Sequence, residues 1–307
     1  MTDNDRQLRT EVPPGQQARD RLLDAMPLTE RRLQLAGVST AVLEGGDGPP
    51  IVLLHGAGEF AAVWILVIPE LVRTHRVIVP DLPGHGASHV TDSTLDHDAV
   101  LDWLDELIDQ TCGGRAPILV GHLMGGSIAA RYTAKHGSRI DRLVLVDTLG
   151  LGWFRPSPKF AVPMMRFAMR PTPRSRERLF NQCFLDMNRV AELAGEQWQW
   201  LMEYADDRAR DPGVQSAMRK LISRLGAPPI PAGDLAGIET PTTLIHGRHD
   251  LQVSLRRVES SGKKYGWPVL VIEDCRDDPA AEQPAAFLRA LRSAIDKHET
   301  AEKGTER

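Results

Sequence analysis

The chain has 307 residues, of which 42% are hydrophobic and 25% charged, and its formal net charge is −4. The length suits one large folded domain or a domain that carries an insertion. Because the charge balance is slightly acidic, the sequence gives no reason to expect nucleic acid or a membrane surface as a partner.

The two ends of the chain are polar, and neither has an apolar segment of signal-peptide or membrane-spanning length. We predict a flexible N-terminal arm over residues 1–27, a polar tail over residues 297–307 and a cytoplasmic location. An odd number of cysteines without CxxC or zinc-type spacing fits a reducing compartment. These cysteines are Cys112, Cys183 and Cys275.

Strand and helix patterns alternate from residue 28 to residue 149. The segments "RRLQLAG" and "STAVLEGG" predict a β-hairpin, and the apolar run "PIVLLHG" is typical of a strand buried on both faces of a parallel sheet. Helices predicted at "AAVWILVIPELVR" and "TLDHDAVLDWLDELIDQ" alternate with strands predicted at "RVIVPDLPG", "APILVGH" and "RIDRLVLVDT". This repetition indicates an α/β fold.

Residues 150–226 interrupt the alternation with a helical pattern that holds six of the nine methionines. Strand patterns resume with "TPTTLIHGRHD" and "PVLVIEDC". We therefore predict an α/β core over residues 28–149 and 227–296, with a mostly parallel central sheet flanked by helices. Residues 150–226 are predicted to form an inserted helical cap.

The stretch "GHLMGG" at residues 121–126 lies where a strand pattern turns sharply into a helical pattern. Four further segments accompany it, namely His55-Gly56, "DLPGHGAS" at 81–88, "HGRHD" at 246–250 and "EDCRDDPAAEQPAAF" at 273–287. In this order the five segments resemble the α/β-hydrolase superfamily with a helical cap, over residues 30–295. The resemblance implies an α/β-hydrolase fold, although a shared fold does not establish a shared reaction.

The same resemblance implies a change at the catalytic positions. In active relatives a serine on the elbow attacks, a histidine takes its proton and a carboxylate orients the histidine. In this chain Leu123 stands at the nucleophile position, Asp277 at the histidine position and Asp250 at the acid position. A leucine cannot attack, and loss of the nucleophile or base lowers turnover by about 10⁶. We therefore expect no ester hydrolysis.

Other parts of the family's site are retained. The backbone N–H groups of Ala57 and Met124 match the oxyanion-hole positions, which bind a carbonyl or enolate oxygen. We predict an apolar, carbonyl-containing small molecule as ligand or substrate, with the Met- and Trp-rich cap as an apolar roof. The alternative is that those methionines only fill the seam between cap and core. The predicted pocket residues are His55, Gly56, His122, Leu123 and Trp153.

Three functions stay open. The first is a pseudo-hydrolase that binds the compound without turning it over. The second is a non-hydrolytic enzyme of cyclase, isomerase, lyase or decarboxylase type, in which Asp250 and Asp277 share a proton because neighbouring carboxylates resist double ionisation. It requires Asp277 to point into the pocket and not into solvent. The third is a surface scaffold with a vestigial pocket.

No metal or organic cofactor is expected, because the sequence contains no ligand cluster and no dinucleotide-binding glycine pattern. Ser127, one helical turn beyond the elbow, is interpreted as a packing residue, and His249 as a surface residue. The oligomeric state, a homo-oligomer included, and the identity of the compound stay open.

Overall fold

A nine-stranded sheet runs through the part of the chain that the structure describes, residues 13–296 of a computed structural model. Its strands are β1 (Thr29–Leu35), β2 (Val38–Gly45), β3 (Pro50–Leu54), β4 (Arg76–Pro80), β5 (His89–Val90), β6 (Ile118–His122), β7 (Arg142–Val146), β8 (Thr242–Gly247) and β9 (Val269–Ile272). They follow the order β1-β2-β4-β3-β6-β7-β8-β9, with β5 paired to β2. Strands β4, β3, β6, β7, β8 and β9 pair in parallel, which confirms the predicted mostly parallel sheet.

Helices cover both faces of this sheet. In chain order they are α1 (Pro14–Asp24), α2 (Ile68–Leu71), α3 (His97–Thr111), α4 (Leu123–His136), α5 (Pro158–Met169), α6 (Pro173–Cys183), α7 (Met187–Ala194), α8 (Glu196–Arg210), α9 (Pro212–Leu221), α10 (Ala232–Ala236), α11 (Leu255–Tyr265), α12 (Pro279–Glu282) and α13 (Pro284–Asp296). Within residues 13–296, no helix is long and apolar enough to cross a bilayer.

The side chains of β3 point alternately into two apolar clusters, one on each face of the sheet. Val52 and Leu54 belong to the apolar cluster that contains α3 and α4, whereas Ile51 and Leu53 belong to the cluster that contains α2 and α13. Successive side chains of a strand point to opposite faces, so a strand covered on both faces is apolar throughout. The predicted α/β-hydrolase arrangement of sheet and flanking helices is therefore confirmed.

The predicted hairpin is formed by β1 and β2, which pair antiparallel with Leu35 opposite Val38. Its two turn residues, Ala36 and Gly37, both have positive φ, at 40° and 75°. Two positive φ values in a two-residue loop match the twist of the flanking strands. A Cβ on Gly37 would lie 1.9 Å from the carbonyl oxygen of Asp92, so glycine is required there.

Residues 147–241 separate β7 from β8 and contain helices but no strand; this segment is called the helical insertion. It includes α5 to α10 and a π-helical turn at Ile222–Gly226. Its C-terminal part is held on α4, because the Ser127 hydroxyl donates to the Leu225 carbonyl at 2.6 Å and Arg131 donates to the Pro228 carbonyl at 2.8 Å. Ser127 thus has the packing role expected of it.

The N-terminal segment differs from the expected flexible arm over residues 1–27. Helix α1 buries Ala18 and Leu22 and packs on α8. Its Arg19 forms an ion pair with Glu30. Ala18, Leu22 and Met26 recur every four residues and are all buried, but the helix that α1 packs on, α8, lies far away in the sequence. Residues 1–12 and the polar tail at 297–307 lie outside the described residues.

We expect Leu22→Ala to lower the free energy of unfolding by about 2–5 kcal/mol, the range for a buried leucine truncated to alanine, since Leu22 is fully buried. Urea unfolding followed by circular dichroism measures the change. The matched control is Leu193→Ala, because Leu193 is 46% exposed and a surface substitution shifts stability by only about 0.5 kcal/mol. Equal effects of the two variants would show that α1 is not docked.

Candidate functional site

The turn between β6 and α4 is a strained elbow. Leu123, the first residue of α4, has φ of 46°, in the left-handed region that leucine rarely adopts. The turn is tight enough that a Cβ on Gly125 would lie 2.5 Å from the Leu54 carbonyl oxygen. The Leu123 side chain is buried in the same apolar cluster as Leu221 and Leu225 of the helical insertion. The elbow geometry is thus present, with an apolar side chain at its apex.

Two backbone amides beside the elbow are free to bind an oxygen. Among the described residues, the N–H groups of Ala57 and Met124 donate to no acceptor. The loop that carries Ala57 is tied to α4, because the Gly125 N–H donates to the His55 carbonyl at 3.2 Å. Both amides therefore stand on a fixed frame, as an oxyanion hole requires.

His55 supports this loop from within the core. Its Nδ1 donates to the Gly56 carbonyl at 2.8 Å, and its Nε2 accepts from the Leu82 N–H at 3.0 Å. Burial, and after it the neighbouring His85, lower the pKa of His55 to about 3, so the ring is neutral. Both ring nitrogens are used by the backbone. His55 and Gly56, predicted as pocket residues, thus shape the loop.

His122 pairs with a residue that the sequence analysis missed. Its Nδ1 lies 3.3 Å from Oε2 of Glu59, and its Nε2 donates to the Asp277 carbonyl. Burial lowers the pKa of His122, but the Glu59 carboxylate raises it more, and the result is well above the usual value. Burial likewise raises the pKa of Glu59, but His122 lowers it more. The two side chains form a buried imidazolium–carboxylate pair directly before Leu123.

Asp277 points into the protein and not into solvent. Its side chain is 4% exposed, its Oδ2 accepts from the Gln252 amide, and its Oδ1 accepts no hydrogen bond from the described residues. Burial and the Asp250 carboxyl raise the pKa of Asp277 well above its usual value, although His122 opposes them. One carboxyl oxygen is thus held while the other is unpaired.

Asp250 lies beside Asp277 and is held by the same short segment. Its two oxygens accept from the backbone N–H groups of Gln252 at 2.6 Å and Val253 at 3.1 Å. Burial and the Asp147 carboxylate raise the pKa of Asp250 to about 7, although His246 and these N–H groups lower it. Gln252 therefore joins the two carboxyls, through its backbone to Asp250 and through its side chain to Asp277.

A third carboxyl reaches Asp250 through His246. The Nδ1 of His246 lies 2.6 Å from Oδ1 of Asp147, and its Nε2 lies 3.9 Å from Oδ2 of Asp250. Burial lowers the pKa of His246, but Asp147 raises it more. Strands β7 and β8 are adjacent and parallel, so residues at their carboxyl ends meet although they are far apart in sequence.

These three residues are the one group of donors that the described chain brings within metal-binding distance. One ligand atom from each of Asp147, His246 and Asp250 lies within 4.8 Å of the others, a grouping that sequence spacing does not show. Both oxygens of Asp250 already accept backbone hydrogen bonds, and the imidazole already faces the Asp147 carboxylate. Neither nitrogen of His246 has a hydrogen-bond partner among the described residues. We assign no metal, because both Asp250 oxygens and Oδ1 of Asp147 already accept backbone N–H groups.

The helical insertion is fastened to the turn that carries Asp277. The Arg276 side chain donates to the carbonyl oxygens of Asn181 at 2.5 Å and Phe184 at 3.0 Å. The Asp277 N–H points at the Cys183 carbonyl at 3.5 Å. The segment between α6 and α7 therefore covers the carboxyl pair.

The structure does not bring Trp153 to this site. Its side chain is 63% exposed, and its backbone carbonyl accepts from Arg257 at 2.8 Å. The expectation of a pocket role rested on apolar character alone. His249 is also at the surface, as expected, with its N–H donating to the Cys275 carbonyl.

Cavity size does not locate the site either. A cavity of about 530 Å³ is lined by residues between Ala36 and Asp102 and touches none of the groups above. A cavity of about 10 Å³, roughly the volume needed for one water, lies beside Gln252, Val253 and Leu149. The chemistry of the carboxyl cluster, and not concavity, singles out this region.

Comparison with known proteins finds relatives in one sequence family. The sequence model of a family described as "Alpha/beta hydrolase family" matches residues 51–290. The chain is 30% identical over 221 residues to a pimeloyl-[acyl-carrier protein] methyl ester esterase of Nitrosomonas europaea, covering 67% of this chain and 79% of the esterase.

Two further comparisons match the chain to named hydrolases, one by sequence and one by structure. The chain is 34% identical over 131 residues to a 2-hydroxymuconate semialdehyde hydrolase of Pseudomonas sp. (strain CF600), covering 41% of this chain and 46% of that enzyme. A solved structure of the meta-cleavage product hydrolase from Pseudomonas fluorescens IP01 is similar in fold, with a TM-score of 0.72 and 22% identity. That similarity covers 87% of this chain and 98% of that structure.

We expect the free energy of unfolding to fall as pH rises from about 4 through 7. In the unfolded chain carboxyls lose their protons near pH 4, whereas Asp250 and Asp278 keep theirs to about pH 7 and Asp277 also has a raised pKa. The folded state therefore loses stability as pH rises. The raised pKa values of His122 and His246 act in the same direction.

The pKa of Asp250 rises by about three units on folding, and each unit corresponds to about 1.4 kcal/mol. Asp250→Asn should therefore reduce the fall in unfolding free energy with pH by up to about 4 kcal/mol. Urea unfolding at pH 5, 6, 7 and 8 measures the slope. The control is Asp274→Asn, an exposed aspartate in the same region. If the unfolding free energy depends on pH equally in the native protein and both variants, Asp250 does not keep a proton on folding.

Proposed function

The chain belongs to the alpha/beta hydrolase family, and on that premise we propose that it catalyses proton transfer on an enolisable carbonyl compound instead of hydrolysing an ester. One observation carries the proposal. The buried Asp277 carboxyl has one oxygen held by Gln252 and one oxygen without a partner, and it lies beside a second protonatable carboxyl, Asp250.

In this proposal the serine-histidine-aspartate triad is degenerate. The apex of the elbow is Leu123, which offers no nucleophile, and Asp277 occupies the histidine position. Without nucleophile and base, acyl transfer loses about 10⁶ in rate, or roughly 8 kcal/mol. The free amides of Ala57 and Met124 support a remaining role, since they suit a developing enolate oxygen as well as a tetrahedral oxyanion.

The proposed step moves one proton. The unpaired Oδ1 of ionised Asp277 removes a proton from the carbon next to the substrate carbonyl, and the electron pair passes to the carbonyl oxygen. The amides of Ala57 and Met124 stabilise that oxygen. Asp277 then returns the proton to another carbon of the conjugated system, which gives an isomer. A carboxyl whose pKa is raised above its usual value by burial suits both halves of this exchange.

Asp250 sets the protonation state of Asp277. The Asp250 carboxyl raises the pKa of the buried Asp277, so a single proton on the pair is more stable than two negative charges. Gln252 fixes the relative position of both carboxyls. When Asp250 holds the proton, Asp277 is ionised and able to act as base.

The proposed substrate class follows from the site and from the relatives. Leu123 presents an apolar surface at the apex of the elbow. The similar proteins include a 2-hydroxymuconate semialdehyde hydrolase and a meta-cleavage product hydrolase. We extend from these names only the chemical class, an unsaturated compound with a carbonyl group that conjugates with carbon–carbon double bonds.

The second candidate is a pseudo-hydrolase that binds such a compound without changing it. It is favoured by the cover over Asp277, because the Cys183 carbonyl of the helical insertion lies against the Asp277 N–H. If that cover stays in place while the ligand is bound, the carboxyl does not reach the ligand. No specific observation favours the surface scaffold.

Deuterium exchange separates these candidates. Purified protein is incubated in D₂O with a panel of conjugated enones, 1,3-diketones and 2-oxo acids, and proton NMR follows exchange and isomerisation. We expect catalysed exchange for at least one class and a loss of at least about 100-fold in Asp277→Asn, the usual minimum for removal of a general base. Asp274→Asn serves as the matched control and should stay active. Binding without exchange in the native protein would favour the pseudo-hydrolase.

Restoring the triad tests the assignment of positions. In Leu123→Ser/Asp277→His the serine stands on the strained elbow, the new histidine beside Asp250, and the amides of Ala57 and Met124 are unchanged. We expect hydrolysis of 4-nitrophenyl acetate at least about 100 times faster than in Leu123→Ala/Asp277→His, which lacks the nucleophile. If both folded double variants have the same rate, Leu123 and Asp277 do not occupy the nucleophile and histidine positions.

A further inference from the structure

The charge of the helical insertion is unlike that of the whole chain. Residues 148–176 contain six lysine and arginine residues and no aspartate or glutamate, although the chain as a whole carries −4. This stretch includes α5 and the loops on both sides of it. A local excess of cations therefore extends from the segment before α5 to the first turn of α6.

Helix α5 presents an apolar stripe to solvent. Val162, Met165 and Met169 are 49%, 59% and 73% exposed, and their spacing of three and four residues puts them on one face. The buried residue of this helix is Phe160. At roughly 100° per residue, Met169 lies about 180° from Phe160 around the helix axis. The helix therefore packs on the protein with one apolar side and exposes another.

A cationic stripe borders the apolar one. Lys159 and Arg166 are seven residues apart, which places them along one line of the helix, and Arg170 follows directly after its last residue. All three are exposed, and no ion pair of the described residues involves them. The same holds for Arg155, Arg174 and Arg178 in the flanking segments. The exposed Trp153 lies just before this helix.

We propose that this face of the helical insertion, formed by α5 and its flanking cations and called the basic apolar face, binds the surface of an anionic lipid bilayer. An interfacial helix has an apolar stripe that enters the headgroup boundary and cations that pair with anionic lipid. Methionine and tryptophan suit that boundary, since the first adapts its shape and the second has an apolar ring with a polar edge.

The charge on this face argues against a second copy of the chain as its occupant. A two-fold dimer places the same patch on both sides of the interface. The unpaired Lys159 and Arg166 of α5 would then be brought close to the same cations of the other copy, whereas an anionic membrane supplies opposite charge. The inference does not depend on the reaction proposed above.

Vesicle sedimentation tests the proposal. The full chain is mixed with vesicles of phosphatidylcholine alone and with vesicles containing 30% phosphatidylglycerol, at fixed ionic strength. We expect binding to the anionic vesicles that weakens with added salt. Arg166→Glu/Arg170→Glu should lower the partition coefficient at least about 20-fold, at about fivefold for each lost charge. Met165→Ser/Met169→Ser should lower it as well.

The matched control is Arg256→Glu/Arg289→Glu, which reverses two exposed arginines elsewhere and should leave binding within about twofold. Absence of binding to both vesicle types would overturn the proposal. So would equal loss of binding in the control, which would indicate general charge attraction. A dimer in sedimentation velocity that Met165→Ser/Met169→Ser dissociates would also overturn it, by showing an interface between copies.

Discussion

The cost of burying charge governs this site. Five carboxyl groups converge beneath the helical insertion, and the imidazoles of His122 and His246 are the basic groups that pair with them. Most of these carboxyls are shielded from water, although the Glu59 side chain is 23% exposed, so the site keeps protons or forms imidazolium pairs. Both solutions are present. Glu59 and Asp147 face the imidazoles, while Asp250, Asp277 and Asp278 have raised pKa values.

The parallel sheet itself brings these groups together. Strands β6, β7 and β8 end at the same edge of the sheet, so His122, Asp147 and His246 meet at that edge because the sheet is parallel. The turn before α12 brings Asp277 to the same place. One edge of the sheet thus holds both imidazoles and carboxyls together.

Regular patterns in the sequence were enough to predict the sheet, the hairpin and the elbow, because alternation and turn chemistry are local signals. The position of Leu123 at the apex was likewise predictable. The partners of His122 and Asp277 were not, because Glu59 is 63 residues from His122 and Gln252 is 25 residues from Asp277. Helix α1 was missed for the same reason, since it packs on α8, which lies far away in the sequence.

The contact between Cys183 and Asp277 links access to acidity. Burial is the largest cause of the raised pKa of Asp277, and the segment between α6 and α7 supplies part of that burial. Any opening of the insertion that hydrates Asp277 makes it a stronger acid, and closing makes it a weaker one. By reciprocity, a drop in pH favours the closed form. The pH of the solution therefore shifts the balance between the form in which this segment covers Asp277 and a form in which Asp277 is hydrated.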